Sequence, residues 1–269
     1  METTAMSEQG LDLTGKASGL LVAGDGAPVI ARNKGADSPF FLIADHAGQE
    51  IPLKLNNLQL SHSERQRHIA LDIGVAGLGP ILGDDLGACL FAQRYSRLVI
   101  DCNRDPSRRD AICEVSDGTV IPANLELTPA ERQARIDEIF TPYHDAIDAE
   151  LDARGSRPTV MVALHSFTPS MAGHDRPWRF GVLHLGASPF SDAMLARLRE
   201  TFGEEVVGDN QPYRMDDIDY SIPRHAISRG LDYLELEVRQ DLMADPAGEA
   251  AVAAQIAPLL RAALGDIGL

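Results

Sequence analysis

Short apolar runs that end abruptly in polar residues recur along this chain, and they predict its strands. Phe40–Ala44 has the length and composition of a buried strand and breaks at once into Asp45-His46-Ala47-Gly48. Val160–Leu164 repeats the arrangement and ends in His165-Ser166, and Leu98–Ile100 ends in Asp101-Cys102-Asn103-Arg104. Tyr233–Val238 carries Glu235 and Glu237 inside a strand-like run. Val29-Ile30 reads as an edge strand, with further strands at Cys89–Ala92, Ser96–Ile100, Thr159–Leu164 and Phe180–Leu185. Helical spacing appears at Leu58–Gly83, where Ser61 serves as N-cap and Glu64 closes a capping box. That helix would put His68 and Asp72 on one face. Thr128-Pro129 starts a second helix, running to about Arg154 with a break near Pro142. Ser191–Phe202, a turn at His225–Gly230 and an alanine-rich Ala247–Leu264 complete the set.

Strands alternating with helices predict an α/β fold in three layers, α/β/α, with a mostly parallel mixed sheet covered on both faces. In open sheets of this kind, ligands bind beyond the carboxyl ends of the strands. Arg104–Asn124, Phe167–Arg179 and Asp209–Pro223 have no clear period and are expected to be active-site loops. Met1–Lys16 is polar and rich in small residues, so the first 20 or so residues read as a mobile tail. No repeat or linker is visible, and the reading is one domain over residues 1–269.

A net charge of −16 disfavours nonspecific binding to nucleic acid or anionic membranes, although a cleft can still hold local positive charge. Three cysteines, Cys89, Cys102 and Cys113, form neither a CxxC pair nor an even disulfide set, which points to a reducing cytoplasm. No run has the length of a membrane span, and no signal peptide is read. Oligomeric state is not legible.

The polar ends of the strands carry the chemistry. His46 and His165 form a matched pair of strand-end imidazoles, and neutral imidazole is a good zinc ligand. A third ligand would come from Asp45, Glu50 or Asp72, which spacing alone does not separate. Glu235 and Glu237 are two apart and share a strand face. Either their strand is an edge, or one of them works at a metal site, because unpaired buried charge is costly. Asn103-Arg104 could clamp a carboxylate through the forked donors of the guanidinium. His62, His144 and His184 read as structural, and the scattered glycines form no phosphate loop.

These stretches together resemble the N-formylglutamate amidohydrolase family. The matching runs are DHAGQEIP (45–52), HIALDIGV (68–75), QRYSRLVIDCNRDP (93–106), IPANLELT (121–128), FTPYHDAID (140–148), ALHSFTP (163–169) and LELEVRQDL (234–242). The family in turn resembles the zinc carboxypeptidases, which implies a carboxypeptidase-like (phosphorylase/hydrolase-like) fold. By that likeness His46 and His165 match the two histidine ligands of zinc or another divalent metal. Asn103 and Arg104 match the pair gripping the substrate α-carboxylate, and Glu237 matches the general base. The carboxypeptidase pattern wants His-x-x-Glu, whereas Glu50 stands one residue too far from His46. Asp72 fits the amidohydrolase pattern and is favoured as third ligand. Tyr220, His225 and Arg229 fall in a late family segment, YSIPRHAISRG, which implies a place for His225 near the substrate.

The resemblance implies metal-assisted hydrolysis of the amide of N-formyl-L-glutamate or a similar small N-acyl amino acid, in amino-acid catabolism. This chain opens with Asp45-His46-Ala47-Gly48 where the better-known formylglutamate hydrolases tend to have Pro-His-Ser-Gly, so the acyl amino acid stays open. The alternatives are a carboxypeptidase-like peptidase and a catalytically silent binding protein of the same fold.

Overall fold

The computed structural model describes residues 19–269 apart from Ala187. The stretch expected to be a tail lies, save Gly19 and Leu20, outside the described residues. Its central sheet has seven strands: β1 (Val29–Arg32), β2 (Phe40–Ala44), β3 (Cys89–Gln93), β4 (Val160–Phe167), β5 (Phe180–Leu183), β6 (Val207–Asp209) and β7 (Asp232–Arg239). Across the sheet they run β1-β3-β2-β4-β7-β5-β6. Strands β3, β2, β4 and β7 are mutually parallel, while β1 at one edge and the β5–β6 pair at the other run the opposite way. The helices are α1 (Val75–Leu86), α2 (Pro129–Arg135), α3 (Thr141–Arg154), α4 (Pro189–Phe202), α5 (Ser221–His225) and α6 (Pro246–Asp266).

The alternation of strand side chains builds two cores. Phe40, Leu42 and Ala44 of β2 point into one, shared with Leu78 and Leu82 of α1, Met194 and Leu198 of α4, and Ile256 and Leu260 of α6. Phe41 and Ile43 point into the other, with Tyr143, Ile147 and Leu151 of α3. A continuous apolar run is what a strand buried on both faces requires. The result is the expected three-layer α/β/α arrangement with a mostly parallel sheet. The predicted start at Thr128 forms a complete capping box with Glu131, and the break near Pro142 is a π-helical segment, Ile136–Phe140, between α2 and α3.

Three local expectations are corrected. Leu58–Gly83 is not one helix. Only Val75–Leu86 is α-helical, and it is preceded by 3-10 turns at Leu53–Gln59 and Glu64–Gln66. The Ser61 hydroxyl does accept from Glu64 N–H at 3.2 Å, but the backbone beyond is tied sideways. Asp72 N–H donates to the His46 carbonyl at 2.9 Å, the Ala70 carbonyl accepts from the Ser96 hydroxyl, and Gly74 adopts φ 86°, which favours glycine. His68 and Asp72 therefore share no helical face.

Ser96–Ile100 is a turn rather than a strand. Its carbonyls are taken by side chains, Leu98 by Asn124 Nδ2 and Val99 by Arg135 Nη1, which leaves no ladder to form. Leu98, Val99 and Ile100 are buried all the same, and burial worth about 1.5–3 kcal/mol per large side chain accounts for the apolar run without a sheet. Finally, β4 runs on through Phe167, so His165 stands inside the strand and not after it. The loops 104–124 and 167–179 contain small hairpins, Val115–Ser116 with Thr119–Val120 and Ser170–Met171 with His174–Asp175.

Candidate active site

A cavity of about 540 Å³ opens at the carboxyl ends of the parallel strands, within the range of small-molecule sites. Strand β2 delivers His46 two residues past its end, β4 supplies His165, and β7 supplies Glu235 and Glu237. Asp72 comes from the bend before α1. Its backbone bond to His46 carries the carboxylate to the imidazoles.

His46, Asp72 and His165 are all buried, and one ligand atom from each lies within 4.8 Å of the others, a donor set that fits a divalent metal. Asp72 Oδ2 is the meeting point: His165 Nδ1 lies 3.0 Å from it and His46 Nδ1 3.5 Å. The far nitrogens face carboxylates. His46 Nε2 is 2.7 Å from Asp101 Oδ1, and His165 Nε2 is 3.7 Å from Asp45 Oδ2. Metal-binding histidines characteristically donate their other ring N–H to such a carboxylate. His46 Nδ1, turned toward Asp72, has no hydrogen-bond partner of its own, as a ligand atom awaiting a metal requires.

The electrostatics fit that donor set. Burial works against the Asp72 carboxylate, but the facing His46 and His165 overcome it and hold its carboxyl below the ordinary range. Burial likewise opposes charge on His165, and the nearby carboxylates of Asp45 and Asp72, the latter hydrogen-bonded to Nδ1, reverse this and raise its pKa well above the usual value. The cluster therefore attracts positive charge, as protons or as a metal.

Sequence reading passed over Arg97 and Asp101 as site residues. Arg97 Nη2 donates to Asp101 Oδ2 at 2.6 Å and Nη1 to Asp72 Oδ1 at 3.3 Å, tying the two carboxylates that face His46. Both stand inside the run quoted for the family, but nothing local announces a partner 55 residues away.

Strand β7 lies between β4 and β5, which excludes the edge-strand account of its two glutamates. Glu237 pairs in register with His165 on β4 and with Gly181 on β5. A Cβ at Gly181 would lie 2.1 Å from the Gln211 carbonyl oxygen and 3.2 Å from Glu237 Cβ, so the approach of the 210–220 loop demands glycine. Glu235 and Glu237 each bury one carboxylate oxygen with no hydrogen-bond partner. Burial, only partly offset by His165, lifts Glu237 to about 7, a value suited to a proton acceptor near neutral pH. Burial pushes Glu235 well above the carboxylate range.

Arg104 lines the cavity with a buried Nη1 that has no partner, as a carboxylate clamp should. Asn103 also lines it, but its amide is engaged. Oδ1 accepts from the Tyr220 and Ser221 N–H groups, and Nδ2 donates to Asp219 at 3.2 Å. His225 does not line the cavity. It is fully buried behind the Asp101–Arg104 turn, between Asp148 and His144. Tyr220 and Arg229 are likewise off the cavity wall. Glu50 turns away to pair with Arg94 at 2.8 Å and is half-exposed. Asp45 is buried and accepts from Ser221 Oγ at 2.8 Å.

An α/β/α fold with a paired-histidine, carboxylate and buried-glutamate site at the carboxyl edge of its sheet is an arrangement suited to hydrolytic chemistry. The match of a family model over residues 38–244 then makes the membership specific: the chain belongs to the N-formylglutamate amidohydrolase family. Among solved structures it is similar to the gene product Atu2144 from Agrobacterium tumefaciens, with 34% identity, 93% of this chain and 100% of that one covered, and a TM-score of 0.88. It shares its fold with the N-formylglutamate amidohydrolase from Ralstonia eutropha JMP134, at 20% identity and TM-score 0.64, covering 90% of this chain and 98% of that one. No curated protein matches the chain.

Proposed function

We propose that the protein is a metal-dependent amidohydrolase acting in amino-acid catabolism. It cleaves the amide of N-formyl-L-glutamate or a similar small N-acyl amino acid, releasing formate or another small acid and the free amino acid. The observation that carries this reading is the convergence of His46, Asp72 and His165 beside Glu237, with the unpaired guanidinium of Arg104 across the same cavity.

His46, Asp72 and His165 would hold zinc or another divalent metal. Zinc bound there would polarise the scissile carbonyl and lower the pKa of a water. Glu237 takes a proton from the attacking water and returns it to the leaving amine, a role worth roughly 10²–10⁴-fold. Arg104 grips the α-carboxylate through its fork of donors, and Asn103, its amide engaged, keeps the turn bearing Arg104 in place. Asp101 orients the His46 imidazole through its 2.7 Å bond to Nε2.

A cavity of about 540 Å³ favours a small substrate over an extended peptide, and this places the carboxypeptidase-like reading second. The three free cysteines and the acidic surface support a cytoplasmic site of action away from nucleic acid, and no described helix is long and apolar enough to cross a membrane. Metal analysis followed by a screen of N-formyl and N-acetyl amino acids against short peptides tests the reading. Stoichiometric metal with turnover of an N-acyl amino acid is expected. A metal-free, inactive protein would leave a silent binding protein, and turnover confined to peptides would leave a peptidase.

A further inference from the structure

The runs Phe140–Asp148 and Tyr220–Gly230 contribute nothing to the cavity wall, yet they meet in a buried chain of hydrogen bonds. Asp148 Oδ1 accepts from His225 Nδ1 at 2.9 Å, His225 Nε2 approaches His144 Nδ1 at 2.8 Å, and His144 Nε2 reaches the Cys102 carbonyl oxygen at 3.0 Å. His144 and His225 are 1% and 0% exposed. The two ends of the chain, a carboxylate and a carbonyl, can only accept. Hydrogen on His225 Nδ1 and on His144 Nε2 serves those two ends. Phe140 and Tyr220 pack against the His144 ring at 4.3 and 5.0 Å between centroids. Arg224 and Arg229, each 2.8 Å from Asp148, fix the outer end.

The inner end matters because of where Cys102 stands. It follows Asp101, which faces His46, and precedes Asn103 and Arg104. Helix α5 grips the same turn a second time: Asn103 Oδ1 accepts from two α5-proximal N–H groups, and Ser221 Oγ sits 3.4 Å from the Cys102 carbonyl. The Asp101–Arg104 turn belongs to no strand, so these bonds hold it in place of a sheet.

We propose that His144, oriented by His225 and Asp148, is a positioning residue for the active site. Its Nε2–H holds the Cys102 carbonyl, and so sets Asp101 against His46 and aims Arg104 into the cavity. The consequence for metal and substrate rests on the proposed function, whereas the effect on the turn does not.

Two variants separate positioning from bulk. His144→Phe keeps an aromatic ring and loses the donor, while His144→Gln places an amide N–H near the position of Nε2. Zinc affinity by chelator competition, hydrogen exchange of the Asp101 and Asn103 amides, and KM against kcat are read on each. In His144→Phe, exchange in the turn should quicken, zinc binding weaken by roughly 10- to 100-fold as for outer ligand-orienting residues, and KM rise. His144→Gln should restore all three toward the wild type. Equal behaviour of Phe and Gln variants that keep the wild-type melting midpoint would overturn the proposal, as would an unchanged turn in His144→Phe. If His144→Phe does not fold, Asp148→Asn acts from the far end of the chain. It should quicken exchange in the turn to a lesser degree, and no change there would equally overturn the proposal. A wild type that takes up no zinc would defeat the metal reading, and the exchange rates alone would then decide the role of His144.

Discussion

His165 and Glu237 occupy paired positions on the adjacent parallel strands β4 and β7, so an imidazole of the donor cluster and a buried carboxylate project side by side from the same face of the sheet. The pairing is set by backbone register and not by a loop. Gly181 on the other side of β7 leaves the space that Glu237 needs.

Replacing either histidine should empty the metal site. His46→Ala or His165→Ala is expected to bind no stoichiometric zinc and to lose hydrolysis, with the fold retained. Asp72→Asn should weaken metal binding far more than Glu50→Gln, because Glu50 faces Arg94 and solvent. Metal content by elemental analysis checks both points, and full occupancy in the histidine variants would refute the site.

Glu237→Gln keeps the shape of the side chain but cannot accept a proton. Zinc content should stay normal while kcat falls by roughly 10²–10⁴. The base works ionised, and burial raises its pKa to about 7, so activity should fall as pH drops through neutrality. That acid limb should be absent in Glu237→Gln, and a pH–rate profile with the same limb in both proteins would remove Glu237 from the role.

Glu235→Gln should stabilise the protein at modest cost in activity. Burial holds the folded-state pKa of Glu235 well above 4.5 and leaves one oxygen unpaired. The unfolded chain ionises first, so stability falls as pH rises above the unfolded value toward the folded one. Removing the carboxyl abolishes this loss. The gain in melting temperature over wild type should therefore grow with pH, and a gain that is flat or reversed between acid and neutral pH would contradict the assignment.

Arg104→Lys should weaken substrate binding, because an ammonium cannot reproduce a two-pronged contact with a carboxylate. An N-acyl amino acid whose α-carboxylate is amidated should be a poor substrate of the wild type. Equal kcat/KM for acid and amide would leave Arg104 without a substrate.

Local pattern was enough for the elements that bury on both faces. Phe40–Ala44, Cys89–Gln93 and the strand through Leu164 were legible because a fully buried strand needs an unbroken apolar run, and the capping box at Thr128 because its two partners are neighbours. The same signal misled at Ser96–Ile100. Burial demands apolar side chains whatever the backbone does, and the competing bonds come from Asn124 and Arg135, which no local window contains. It misled again at His68 and Asp72, where a bond to the His46 backbone displaces the helix.

The site divides along the same line. That His46 and His165 end up near one sheet edge followed from apolar runs ending in polar residues, whereas Arg104 reaches the cavity from a turn and not from a strand end. Whether Asp45, Glu50 or Asp72 would meet both imidazoles was decided by the path of the bend before α1, and the fate of the β7 glutamates by its place between β4 and β5. His225 was expected at the substrate and instead stands behind the Asp101–Arg104 turn, bonded through His144 to a carbonyl. The chain by itself determined which groups are able to do chemistry, because side-chain type is a local property. Which of them face one another depends on contacts between residues far apart in sequence, and only the tertiary structure decided that.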